Sequence, residues 1–110
     1  MKHKIGLDEA IRQLKEEKDF PFTALMHYGT LSIEYYAPKE VDNQEPHKQD
    51  EVYVIASGHG VFHCNDKWMD CKKGDLLFVP AGMNHCFQNF SDDFATWVIF
   101  YGPDGGENPV

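Results

Sequence analysis

The sequence predicts an all-β fold, an antiparallel sandwich or barrel preceded by one short α-helix. Three observations predict it. Only residues 7–18 carry helical periodicity; eight short stretches after Pro21 are rich in β-branched and aromatic residues; and Gly, Pro, Asn or Asp separate those stretches. A chain of 110 residues has room for one core, hence for one domain.

The elements follow in order. In "LDEAIRQLKEEK", Leu7, Ala10, Ile11 and Leu14 fall at i, i+3, i+4 and i+7, with Asp8 and Glu9 near the positive end of the helix dipole. Residues 1–21 are therefore an N-terminal helical extension with a solvated charged face. The β domain, residues 22–101, holds "FTALMHYG", "TLSIEYYA", "EVYVIAS", "GVFHCN", "KWMDC", "DLLFVP", "HCFQN" and "FATWVIFYG". Asn65-Asp66 suits a tight hairpin turn that pairs Cys64 with Lys67. The last stretch, "GPDGGENPV" at 102–110, reads as a flexible tail.

Charge narrows the function classes. Ten Lys and Arg against 18 Asp and Glu leave a formal charge of −8, with no basic stripe. That field repels phosphate backbones and anionic lipid, so neither nucleic acid nor a membrane surface is an expected partner. The N-terminus has no apolar signal segment, and runs such as "WVIFY" are too short to span a bilayer. Cys64, Cys71 and Cys86 are odd in number and match no zinc-finger spacing. Together these features predict a cytoplasmic protein with free thiols in small core positions.

The stretch "EPHKQDEVYV" carries chemistry. If it is extended, Glu45, His47, Gln49, Glu51 and Tyr53 share one face, while Val52 and Val54 take the other. A carboxylate entering a barrel wall needs an ion or a hydrogen-bonding partner. Alone, His47 reads as a surface residue at a strand entrance. The stretch "GDLLFVPAGMNHCFQN" changes that, because turns at Pro80 and Gly82 can bring His85 back beside the preceding sheet.

Gly74-x5-Pro80-x-Gly82-x2-His85-x3-Asn89 matches the second cupin motif at every position, and His47-x3-Glu51-x6-Gly58 matches the latter part of the first. The fifteen residues between Gly58 and Gly74 resemble the spacing in small microbial cupins. The resemblance, extended by the β pattern over about residues 22–101, implies a jelly-roll barrel around one divalent metal ion, with His47, Glu51 and His85 as ligands. One departure stands out. The family's first histidine falls on Glu45 and the glycine before it on Lys39. Glu45 either coordinates as a second carboxylate, acts as a base, or leaves its place to water; Gln49 is a further candidate ligand through its amide oxygen.

Two histidines and one carboxylate with open positions is the set expected of non-haem iron oxygenases, while a second carboxylate favours a harder ion such as manganese. Iron, manganese, nickel and zinc all fit the resemblance. It implies a metal-dependent enzyme acting on a small organic molecule, of oxygenase type, with Glu45 or Tyr53 moving protons. The alternatives are an isomerase or lyase, a non-catalytic module binding a sugar or small acid, and an empty structural barrel. Tyr35, Tyr36, Phe22, Phe87, Trp97 and Phe100 supply aromatic walls, and outward aromatic residues suit the homodimer frequent among cupins. His59 and His63 are expected to face outward, opposite Phe62 and Cys64, and Cys86 to turn away from the metal.

Overall fold

The computed structural model describes residues 2–109, so Met1 and Val110, the outer ends of the predicted extension and tail, lie outside the described residues. Helix α1 spans Leu7–Glu16, and eight strands follow: β1 (Phe22–Tyr28), β2 (Leu31–Tyr36), β3 (Asp50–Ser57), β4 (His59–Cys64), β5 (Lys67–Lys72), β6 (Leu76–Val79), β7 (His85–Gln88) and β8 (Ala95–Tyr101). All eight predicted strands form. The helix stops two residues short of Lys18, with Glu17 already extended at φ −77° and ψ 126°. Its apolar stripe ends at Leu14, so a further turn has nothing to bury.

The strands form two antiparallel sheets, a five-stranded one in the order β1-β2-β8-β3-β6 and a three-stranded one in the order β5-β4-β7. Side chains from both sheets meet between them. Tyr53 and Ile55 of β3, Phe62 and Cys64 of β4, Phe87 of β7 and Val98 of β8 are all buried there. This is an open jelly roll whose interior is lined by alternate residues of each strand. The outer face of the large sheet is covered by α1, where Ala10, Leu25, Tyr35, Ala56 and Ala95 form a second cluster with Trp97 packed against it. The aromatic residues thus divide. Tyr35 and Trp97 meet edge to face at 5.5 Å under the helix, whereas Tyr36, Phe87 and Phe100 belong to the interior.

The predicted β4–β5 hairpin turns through Asn65 and Asp66 at φ 49° and 63°, the left-handed pair that a two-residue turn between twisted strands requires. Cys64 pairs with Lys67, as expected. Cys64, Cys71 and Cys86 are free thiols, the first two buried and the third half-buried. Phe62 and Cys64 face inward; His59 is exposed and His63 stacks on Trp68 at 4.1 Å. Gly58, between β3 and β4, has φ +75°, and a Cβ there would stand 2.8 Å from the Phe94 Cα and meet the Ser91 hydroxyl. Only glycine permits that reversal against the 91–94 loop.

Residues 37–49 form no strand pairing beyond one bridge between Lys39 and Val41. This strap runs from β2 to β3 and carries His47. Part of the segment after β8, expected to be a flexible tail, is hydrogen-bonded to the barrel. The Gly105 N–H donates to the Lys48 carbonyl at 2.7 Å, and the Glu107 N–H to Asp50 Oδ2 at 2.8 Å. No helix among the described residues is long and apolar enough to cross a membrane.

Candidate metal centre

His47, Glu51 and His85 converge from three parts of the fold: the strap, the large sheet and the small sheet. Glu51 lies opposite Val79 of β6 and Phe100 of β8, so its side chain enters the interior with Tyr53 two residues on. His85 opens β7 opposite Cys64. The turn at Gly82, φ +78°, donates its N–H to the His47 carbonyl at 2.8 Å. The two matched motifs are therefore joined by a backbone hydrogen bond, and this places His47 beside the pair from the strands.

One carboxylate oxygen organises the cluster. Glu51 Oε1 lies 2.9 Å from His47 Nδ1 and 2.9 Å from His85 Nε2. The Glu51 and His85 side chains are 1% and 0% exposed, and that of His47 33%. The other oxygen, Glu51 Oε2, is buried with no hydrogen-bond partner. Burial alone would raise the Glu51 carboxyl, but the hydrogen bonds to His47 and His85 outweigh it and hold the group below the ordinary carboxylate range. Burial likewise opposes the charged form of His85, and the bonds to Glu51 and the Met83 carbonyl overcome it, so His85 is raised.

The tautomer of His85 follows from its surroundings. Its Nδ1 lies 3.0 Å from the Met83 carbonyl, which can only accept, so Nδ1 carries the proton. Its Nε2 faces Glu51 Oε1 at 2.9 Å and the Tyr53 hydroxyl at 3.0 Å. Tyr53 donates its own proton to Gln44 Oε1 at 2.8 Å and so offers Nε2 a lone pair. Two acceptor oxygens facing one ring nitrogen are favourable only with a second proton or a cation at Nε2. A divalent ion fits this donor set. It would be held by His47, Glu51 and His85, and it would also answer the orphaned Oε2. Two imidazoles and a carboxylate suit iron, manganese, nickel or zinc alike.

The other predicted residues go elsewhere. The ladder of β3 begins at Asp50, so the face-sharing rule that grouped 45–49 with Glu51 does not apply on the strap. Gln49 is engaged elsewhere: its amide nitrogen donates to the carbonyls of Thr30 and Gly102, at 2.8 and 3.0 Å. Glu45 is exposed and is not brought to the histidines. Tyr53 is fully buried, and its hydroxyl is taken up by Gln44 and His85. Burial, reinforced by the Glu51 charge, pushes its phenol well up, so it remains protonated and holds His85 in place.

Three residues beyond those read from the motifs complete the surroundings. Asp42, on the strap, accepts from Tyr36 Oη at 2.5 Å, from Gln44 Nε2 at 2.8 Å and from the Phe87 N–H at 2.7 Å. Asp42 and Gln44 thereby tie the strap to β7 and, through Tyr53, to His85. Asp42→Ala leaves a backbone N–H and a buried phenol unpaired, and should lower the unfolding free energy by about 2–4 kcal/mol in urea titrations. Asp42→Asn, which keeps one carbonyl oxygen, should cost less. The third residue, Glu34 of β2, lines a cleft of about 550 Å³ together with Phe22, Tyr36, Gln44, Val98 and Phe100. His47 also lines this cleft, so it leads to the cluster. No sequence signal marks Glu34, because β2 has covered surface on both faces.

Comparison with known proteins agrees with this architecture. The cupin domain family model matches residues 32–101, from β2 to the end of β8. An uncharacterized protein of Streptomyces coelicolor is 30% identical over 100 residues, covering 89% of this chain and 94% of its own. The acireductone dioxygenase of Cronobacter sakazakii is 40% identical over 68 residues, covering 57% of this chain; the chain spans 38% of that enzyme's length. Among solved structures, a cupin superfamily protein of Desulfitobacterium hafniense is similar in fold, with a TM-score of 0.63 at 23% identity over 77% of this chain and 79% of its own. With the family model covering well over half of its length, the chain belongs to the cupin family.

Proposed function

We propose that this cupin holds one divalent transition-metal ion through His47, Glu51 and His85 and acts as a dioxygenase on a small organic molecule. The observation that carries the reading is Glu51, buried between two imidazoles with one oxygen shared and the other unpartnered. Similarity to acireductone dioxygenases over the shared segment supports oxygen chemistry over other uses of such a site. A redox-active ion held by three protein ligands supplies open positions and electrons for the reaction of dioxygen with substrate.

The chain's own residues do the rest. The Met83 carbonyl accepts from His85 Nδ1–H, which fixes the tautomer, orients the ring and leaves the Nε2 lone pair to ligate. Substrate approaches through the cleft over the half-exposed ring of His47, whose edge-to-face contact with Phe100 at 4.9 Å sets its tilt. Glu45, exposed on the strap, has no part in this arrangement.

Elemental analysis of protein purified without added metal, followed by oxygen-electrode measurements with a panel of small oxidisable molecules, an acireductone and apolar amines among them, tests the reading. Near-stoichiometric iron, nickel or manganese and substrate-dependent oxygen uptake are the expected results. Protein without bound metal would refute it. Bound metal with saturable ligand binding but no oxygen uptake would make the chain a binding module.

A further inference from the structure

The cleft carries one carboxylate whose position the metal cluster does not explain. Glu34 sits half-buried on the inner face of β2, and among the described residues no hydrogen bond or ion pair reaches its oxygens. Its surroundings are mainly apolar: Phe22, Tyr36, Val41, Val98 and Phe100 line the same cleft. A carboxylate taken partly out of water without a partner is a cost to the fold. Burial sets it above the ordinary carboxylate range, and the ionisable groups that act on it are His47, Glu51 and His27. The polar groups beside it, Asn43 and Gln44, are neutral, and no Lys or Arg lines the cleft. The chain as a whole carries −8, so no long-range field draws anions inward.

We propose that Glu34 is a specificity-determining residue, and that the cleft selects small molecules with an apolar body and an amine or ammonium group that donates to its carboxylate, against molecules bearing an anionic group there. This deepens the proposed function and rests on it, since it names the substrate class of the same cleft. The geometry suits such a ligand. A charge-assisted hydrogen bond to Glu34 fixes one end, the aromatic and aliphatic walls cover the body, and the far side lies against His47.

Benzylamine, benzyl alcohol and benzoate share one ring and differ in the head group, so calorimetric titration of the three isolates the head-group preference. Each is titrated into protein as purified and into the same protein after chelation, with Glu34→Gln alongside. Benzylamine should bind about tenfold or more tighter than benzoate in both forms of the wild type, with the alcohol between. Glu34→Gln should reduce the ratio to about threefold or less while leaving metal content unchanged. Equal binding of amine and benzoate, an unchanged ratio in Glu34→Gln, or no saturable binding of any probe overturns the proposal. Loss of metal in Glu34→Gln also overturns it, because Glu34 would then serve the ion instead of the ligand. Protein that holds no metal as purified and still shows the Glu34-dependent preference refutes the dioxygenase reading and leaves this inference standing; protein that is metal-loaded as purified and lacks the preference does the reverse.

Discussion

Glu51→Gln should lower the affinity for the metal by at least about 100-fold, since changes to residues that merely support a ligand already cost 10- to 100-fold. Glu51 Oε1 is within 2.9 Å of both histidines, so the substitution removes the one anionic donor and places an amide between two imidazoles. The change is nearly isosteric and keeps the packing against Val79 and Phe100 intact, which separates loss of the ion from loss of the fold. His85→Ala should be as severe, because its side chain is wholly buried and water cannot easily take its place. His47→Ala should cost less, since a third of that side chain is open and solvent can reach the vacated position. Competition against a chelator of known affinity measures all three. Metal retained at wild-type affinity by Glu51→Gln would remove the basis for the site.

The second large effect is a reversal of pH dependence between metal-free and metal-loaded protein. In the metal-free form, His85 is raised above its ordinary 6.5, so its contribution is full below that value and is lost as pH rises through the folded pKa. Glu51 is lowered, so its contribution is present above the ordinary carboxylate value and is lost as pH falls through the folded one. The pair therefore stabilises most in the window between the depressed Glu51 and the elevated His85. Each pKa unit of difference between folded and unfolded chains is worth about 1.4 kcal/mol. With an ion bound, the histidine ligands must be deprotonated, so high pH favours the complex and acid releases the metal. Thermal unfolding should show the chelated protein losing stability as pH rises above the ordinary histidine value, below the range in which the buried thiols of Cys64 and Cys71 titrate, while the loaded protein does not. A chelated protein that gains stability between those limits would contradict the Glu51–His85 pairing.

The fold was legible wherever local pattern and final environment agree. Phe62 and Cys64 alternate with Val61 and His63, and the barrel uses that alternation directly. Asn65-Asp66 specifies its turn through backbone sterics alone. The cluster was legible because the spacing of His47, Glu51 and His85 reflects the geometry of two turns, at Gly58 and Gly82. The engagement of Gln49 with Thr30 and Gly102 has a definite reason. Side-chain parity holds only along a hydrogen-bonded ladder, and two positions before Glu51 the ladder with Tyr101 has not begun. Glu34 and Asp42 were invisible for another. Ile33 and Tyr35 face the helix while Glu34 and Tyr36 face the cleft, so both sides of "LSIEYY" meet protein and polarity cannot tell the inside from the outside. Asp42 acts through a backbone N–H of Phe87, forty-five residues away, and such a bond leaves no trace in residue type.

The three members of the cluster come from three pieces of the fold: the strap, the large sheet and the small sheet. Among the described residues, strand ladders run within each sheet and not between them. An ion at this point is therefore a rivet through all three, resisting both sliding of one sheet over the other and lifting of the strap. Its removal should make itself felt far from any chemistry, as protease cuts between Lys39 and Lys48 and as faster amide exchange along β7.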